Sequence, residues 1–253
     1  MTELSASGPE RPDGRPAPWG LWATLALAAA VAAAFLGAQG VVFGGYAAFR
    51  TLRDPGLDVL ALAAELQTDG TLLAAALCVS APIGIALSAL CGWSRGGWSA
   101  AGYLALVRIE LPTLLRWLGC AVLFAAASDG LTLLLGRPVV PEFVAKAYAT
   151  AAVAPLLWFA FVVAAPAFEE VFFRGFLFRG LEASRLGGRG AVAGTALAFG
   201  VMHLQYDLYG MATAVAIGVL LGVARLRTGS TLASFAMHAF MNLIATLEAG
   251  LLG

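Results

Sequence analysis

Long apolar stretches separated by short polar segments dominate the chain after its first 18 residues. A helix that crosses a membrane needs about 20 mostly apolar residues, and several of these stretches approach that length. The segments between them contain charges, glycine and proline, which are typical of turns and interfacial loops. The pattern predicts an all-α polytopic membrane helical bundle of about eight helices, at residues 19–43, 71–93, 114–135, 148–165, 166–183, 191–205, 208–224 and 231–251.

Proline and polar residues set several of the predicted boundaries. Pro166 predicts the end of the fourth helix, because proline usually marks a helix boundary. The fifth and sixth helices are short for a complete crossing. Ser230 or Thr231 is a suitable N-cap for the last helix. In residues 57–66, leucines and alanines spaced along one face predict a helix that lies in the membrane interface.

Composition divides the chain into a tail and two helical regions. Residues 1–18 are rich in proline, glycine and charge, which predicts a disordered polar N-terminal tail. Residues 19–147 are predicted to form N-terminal transmembrane helices. Residues 148–253 are predicted to form a second helical region, which holds nearly all of the polar motifs described below.

The overall composition also indicates a protein whose main environment is the lipid bilayer. Hydrophobic residues make up 60% and charged residues 12%, against roughly 45–50% and about 25% in soluble domains. The mean hydropathy is +0.86. With 15 basic and 15 acidic residues, the chain has no charge excess that would attract nucleic acid. Three cysteines lie in apolar stretches without a CxxC pattern and are predicted to be unpaired core residues: Cys78, Cys91 and Cys120.

The segment PAFEEVFFRG places three charges in an otherwise apolar stretch. Glu170 and Arg174 are spaced i,i+4 on one face of a helix, with the glutamate first, which is the favourable order for an ion pair. A structural role therefore accounts for these two residues. It leaves Glu169 without a local partner. A carboxyl group inside a membrane costs about 2.5–3.5 kcal/mol and is a candidate functional group by default.

The two histidines of the chain, His203 and His238, both fall in stretches predicted to be helical. His203 follows Phe199 by one turn in FGVMH, and His238 precedes Asn242 by one turn in HAFMN. Either histidine could be an ordinary core residue, and Asn242 could simply hydrogen-bond between helices. Neither histidine belongs to an HExxH zinc motif. A site would therefore have to combine Glu169 with both histidines from three different helices.

The motifs EEVFFR, FGVMH and HAFMN together resemble those of the CPBP family of intramembrane proteases. This family includes type II CAAX prenyl proteases, bacteriocin-processing enzymes and Abi-like proteins, with the patterns EExxxR, FxxxH and HxxxN or HxxxD. The resemblance covers about residues 151–251. It implies that residues 148–253 form a CPBP-like catalytic helical core, and that the protein is a membrane peptide hydrolase.

The resemblance also implies roles for four residues in peptide hydrolysis. In such enzymes the first glutamate, here Glu169, and the histidine of the second motif, here His203, activate the attacking water. His238 and Asn242 would then polarise the carbonyl group or hold the oxyanion. These roles match the chemical needs of the reaction, which are a base for the water and stabilisation of the developing charge.

Supporting residues and a metal are further implications of the resemblance. Glu170 and Arg174 would form an ion pair that orients Glu169. Two histidines and a carboxylate also form a possible Zn²⁺ ligand set with an open position for water, here Glu169, His203 and His238. A metal-free mechanism based on the glutamate uses the same residues, so both mechanisms stay open.

The expected substrate is a membrane-associated peptide or protein, such as a C-terminal tail, a bacteriocin or a signal-type peptide. A bias towards alanine, glycine and arginine, with Lys146 as the single lysine, favours a bacterial protein of the cytoplasmic (inner) membrane. Two alternatives stay open: a non-catalytic immunity or scaffold protein of the same fold, and a small proton-coupled transporter. The transporter is disfavoured because the sequence shows no internal repeat.

Overall fold

The computed structural model describes residues 14–252, and that part of the chain contains ten helices and no strand. The predicted all-α bundle is therefore confirmed. Residues 1–13 of the predicted tail lie outside the described residues. The helices are α1 (Leu21–Arg53), α2 (Val59–Leu66), α3 (Gly70–Trp93), α4 (Ala100–Tyr103), α5 (Leu111–Leu134), α6 (Glu142–Thr150), α7 (Ala154–Ala183), α8 (Gly187–Val201), α9 (Leu208–Thr228) and α10 (Thr231–Leu252).

Within the described residues, six helices are long and apolar enough to cross a membrane: α1, α3, α5, α7, α9 and α10. The structure merges the predicted fourth and fifth helices into the single helix α7. The predicted interfacial helix forms as α2, which buries Leu62 and Leu66 against α1. The predicted sixth helix forms as α8, which is not among the six candidate spans.

The prediction that a helix ends at Pro166 is wrong. In α7 this proline follows directly on a π-helical segment, Ala160–Ala164, in which the N–H of Ala165 bonds to the carbonyl of Ala160. In a regular α-helix the proline ring clashes with the carbonyl four residues earlier. The wider π turn relieves this clash, so the helix continues through Pro166 and carries Glu169 and Glu170 in its middle.

Close packing around α7 places it at the centre of the bundle. The ring of Phe168 stacks on that of Phe35 in α1 at 3.9 Å between centroids. The same ring lies against Gly84 of α3, where an added Cβ would be 2.3 Å from Phe168 Cε2. Since α1 and α3 pack this closely on one side of α7, the neighbouring Glu169 and Glu170 are presented to the helices on the other side.

Helices α8 and α9 form a close pair on that other side. A Cβ added to Gly218 of α9 would lie 2.9 Å from Ala196 Cα, and one added to Gly222 would lie 3.2 Å from Val192 Cγ1. The two glycines therefore allow the two helices to pack closely. Helix α10 follows after a short turn, and the hydroxyl of Ser230 accepts a hydrogen bond from the Ala233 N–H at 3.2 Å. Ser230 is therefore an N-cap of α10.

Candidate active site

A buried ion pair between Glu170 and Arg174 forms the inner wall of the site. Arg174 Nη1 donates to Glu170 Oε1 at 2.8 Å, and both side chains are 0% exposed. Arg174 Nη2 donates to the carbonyl of Gly218 at 3.0 Å, and its own carbonyl accepts from Arg225 Nε at 3.0 Å. The i,i+4 pairing predicted from the sequence is therefore present, although residues Glu170–Leu177 are π-helical. Through its bond to the Gly218 carbonyl, Arg174 also links α7 to α9.

The same carboxylate of Glu170 holds His238 of α10. His238 Nδ1 lies 2.9 Å from Glu170 Oε1. Because the ion-paired carboxylate can only accept, Nδ1 carries a proton, and in the neutral ring Nε2 then offers a lone pair. Nε2 lies 3.6 Å from Glu169 Oε2, whose side chain is 22% exposed. These contacts form a series that runs from a fully buried guanidinium to a partly exposed carboxylate. Its members, in order, are Arg174, Glu170, His238 and Glu169.

His203 does not lie in a helix, which corrects the prediction for residues 191–205. Helix α8 ends at Val201, and His203 lies in the turn that follows. Its Nδ1 lies 2.7 Å from the carbonyl oxygen of Phe199. That carbonyl can only accept, so Nδ1 carries a proton, and in the neutral ring Nε2 again offers a lone pair. The turn thus orients His203 through the phenylalanine of its own FGVMH motif.

The ring of Phe199 lies between the two histidines and the buried arginine. Its centroid is 4.5 Å from that of His203 and 5.6 Å from that of His238. The guanidinium carbon of Arg174 lies 4.8 Å from the same centroid. A cation over an aromatic face is stabilised electrostatically. The Phe199 carbonyl therefore holds the His203 ring in place. The Phe199 ring lies between His203 and the Glu170–Arg174 ion pair.

Asn242 hydrogen-bonds to α7 in the π-helical region. Its side-chain nitrogen Nδ2 donates to the carbonyl of Phe161 at 2.8 Å. In a π-helical segment the carbonyls do not all keep the hydrogen-bond partners they have in an α-helix. The Asn242 amide binds one such carbonyl, that of Phe161. One amide hydrogen is committed to this bond, and the second is available for another acceptor.

Tyr206 lies in the same turn as His203 and packs against it. Its ring stacks on that of His203, with 5.8 Å between centroids and 20° between planes. Its edge contact with Phe143 of α6 has centroids 6.1 Å apart. Burial, followed by the negative charge of Glu169, raises the pKa of Tyr206 to about 12. The Gln205 side chain hydrogen-bonds the hydroxyl and opposes this rise in pKa, as a donor to the phenol oxygen would.

The three residues proposed as zinc ligands are of types that bind zinc, but their side chains do not come together as a group that could hold the ion. Both histidines have Nδ1 held by an acceptor, as metal-binding histidines usually have, which in the neutral ring leaves Nε2 as the ligand atom. Among the described residues, however, no three His, Cys, Asp or Glu side chains form a group that could hold a metal ion. No step of the chemistry is therefore assigned to a metal.

Residues 150–244 match a family model described as type II CAAX prenyl endopeptidase Rce1-like. This match confirms the predicted resemblance, and the matched segment includes every motif residue from Glu169 to Asn242. The comparison with curated proteins and that with solved structures give no match.

The Rce1-like family is a protease family, which supports peptidase activity at the level of the family. Together with the six long apolar helices, it supports a multi-pass membrane protein.

The structure thus joins the motifs through three direct contacts: Glu169 with His238, His238 with Glu170, and Glu170 with Arg174. His203 takes part in none of these three contacts, but it packs against the ring of Phe199, which also packs against His238. Two contributors are not recognisable from the motifs. The Phe161 carbonyl has no side-chain signature, and Tyr206 could have been singled out only by its position just after the FxxxH motif.

Proposed function

We propose that the protein is an intramembrane endopeptidase that hydrolyses peptide bonds in membrane-associated protein or peptide substrates. The main support is the contact between the partly exposed Glu169 carboxylate and His238 Nε2 at 3.6 Å. Behind it, the buried Glu170–Arg174 pair holds His238 in a single tautomer. A carboxylate and an imidazole lone pair facing one opening form a suitable base system for a water molecule.

In this proposal Glu169 accepts a proton from water as the water oxygen attacks the carbonyl carbon of the scissile bond. His203 accepts the second hydrogen of this water at Nε2 and orients it, while His238 lies beside the base, with Nε2 3.6 Å from Glu169 Oε2. The carbonyl oxygen becomes an oxyanion, and the second amide hydrogen of Asn242 is one donor for it. When the carbon–nitrogen bond breaks, the proton on Glu169 passes to the leaving amine, so the enzyme returns to its initial state.

The proposed substrates are peptides or tails anchored in, or adsorbed to, the bilayer. A site formed by helices that cross the membrane favours substrates that already lie there. C-terminal tails, bacteriocins and signal-type peptides all meet this condition. The composition favours a bacterial cytoplasmic membrane as the location, and this makes a prenylated tail the less favoured of the substrates.

The proposal is tested by incubating the purified protein in lipid vesicles with a panel of such tails and detecting products by mass spectrometry. We expect the wild type to cleave at least one tail. The variant His203→Ala should lower the rate by about 10²-fold or more, because it removes a group that positions the attacking water. Leu204→Ala is the matched control, since Leu204 is 73% exposed and adjacent in the same turn. Equal rates for wild type and His203→Ala would refute the assigned role.

Zinc binding by Glu169, His203 and His238 is a separate part of the proposal. It predicts about one Zn²⁺ per chain in protein purified without chelator, measured by elemental analysis. The same measurement on His238→Ala should show the metal lost, because a catalytic zinc site relies on three protein ligands. Full tail cleavage by metal-free protein would contradict the zinc hypothesis and favour the glutamate mechanism.

A further inference from the structure

The motif residues of the site offer many hydrogen-bond acceptors and few hydrogen-bond donors. Among the described residues, the Nδ1–H group of His203 is used by the Phe199 carbonyl, and that of His238 by Glu170. In its neutral form, a ring held in this way offers only the Nε2 lone pair and no further N–H group. Glu169 is a carboxylate and also accepts. A site that stabilises an oxyanion needs N–H or O–H groups directed at it.

The other donors of the motifs are largely committed to structural contacts. Arg174 gives Nη1 to Glu170 and Nη2 to the Gly218 carbonyl, and its side chain is fully buried behind the Phe199 ring. Asn242 gives one amide hydrogen to the Phe161 carbonyl, which leaves one. Since oxyanion sites commonly combine two or more donors, the motif residues alone supply fewer than the chemistry requires.

Tyr206 places its ring, which carries a hydroxyl group, beside His203 of this site. Its ring is fixed by stacking on His203 and by the edge contact with Phe143, so the phenol has a defined position. The Glu169 carboxylate is close enough to act electrostatically on that phenol. The main-chain N–H of Tyr206 also bonds to the carbonyl of His203 at 3.0 Å, which ties the two residues into one turn.

We propose that Tyr206 is a further catalytic residue, whose O–H group donates a hydrogen bond to the scissile carbonyl oxygen as that oxygen becomes an oxyanion. This inference rests on the proposed endopeptidase function. The phenol keeps its proton throughout, while the proton of the attacking water travels by way of Glu169 to the leaving amine. Tyr206 thus adds a second donor to the free amide hydrogen of Asn242.

The test compares the wild type, Tyr206→Phe and Tyr209→Phe for cleavage of a tail in lipid vesicles, together with the thermal stability of each protein. Tyr206→Phe retains the ring and its stacking and removes only the hydroxyl. Loss of one oxyanion donor lowers kcat by about 10²–10³-fold. We expect such a loss with KM within about twofold of the wild type, since the interaction forms only in the transition state.

Tyr209→Phe is the matched control, because its hydroxyl lies one helical turn away and bonds instead to the Thr132 hydroxyl at 2.7 Å. It should retain the wild-type kcat. Wild-type kcat in Tyr206→Phe would overturn the inference and leave the endopeptidase proposal standing. A loss of kcat in Tyr206→Phe that is matched by an equal loss in Tyr209→Phe would also overturn it. Failure of the wild type to cleave any tail would refute the proposed function and this inference together.

Discussion

Replacement of Glu169 by glutamine is expected to lower the rate of tail cleavage by about 10²–10⁴-fold, the contribution of a well-placed general base. Glutamine has nearly the same shape but cannot accept a proton at neutral pH. The Glu169 side chain is 22% exposed, and its 3.6 Å contact with His238 Nε2 is longer than a hydrogen bond, so glutamine breaks no buried hydrogen bond there. The loss should therefore appear in kcat, with thermal stability close to that of the wild type.

The matched control for this variant is Glu182→Gln, which removes a carboxylate near the end of the same helix, α7. We expect it to cleave at the wild-type rate. Initial rates in lipid vesicles, measured over a range of substrate concentrations, separate kcat from KM. If Glu169→Gln cleaves as fast as Glu182→Gln, then Glu169 is not the base, and the proposed chemistry is wrong at its first step.

Replacement of Arg174 by methionine is expected to destabilise the protein by about 3–5 kcal/mol, the cost of leaving a buried charge without its partner. The carboxylate of Glu170 is 0% exposed and would lose its 2.8 Å bond to Arg174 Nη1. The Gly218 carbonyl would lose its donor as well. The change should appear as a large decrease in the thermal unfolding temperature in detergent. Arg189→Met, at an exposed position of α8, is the control and should unfold as the wild type does.

A double variant separates the two roles of this ion pair. Glu170→Met combined with Arg174→Met removes both charges, and replacement of a buried pair by apolar side chains often restores stability. We expect the double variant to unfold closer to the wild type than Arg174→Met does. It should still be inactive, because His238 Nδ1 would lose the acceptor at 2.9 Å that fixes its tautomer. A stable and active double variant would show that Glu170 does not orient His238.

Apolar runs alone predict most of the architecture. Each membrane-crossing helix must satisfy its own backbone hydrogen bonds, so a run of about 20 apolar residues determines a helix with little help from its neighbours. For this reason α3, α5, α9 and α10 begin and end close to the predicted positions. The i,i+4 pairing of Glu170 with Arg174 was likewise predictable, because it depends on spacing within one helix.

The errors occur where a local rule is overridden by backbone geometry. Pro166 indicates a helix end in any single sequence, yet the π turn at Ala160–Ala164 carries α7 through it. His203 belongs to an apolar stretch, yet α8 ends at Val201 and releases the histidine into a turn. Neither the π turn nor the early end has a hydrophobic signature, because both leave the apolar pattern unchanged.

The sequence by itself therefore determined the class of the protein, the helices and the identity of the motif residues. These depend on composition and on spacing along one helix. The tertiary structure alone decided which motif residues meet: Glu170 binds His238 as well as Arg174, Asn242 binds a carbonyl of α7, and Tyr206 stacks on His203. Contacts between helices depend on how the helices pack and rotate against one another, and the pattern along a single chain does not specify that rotation.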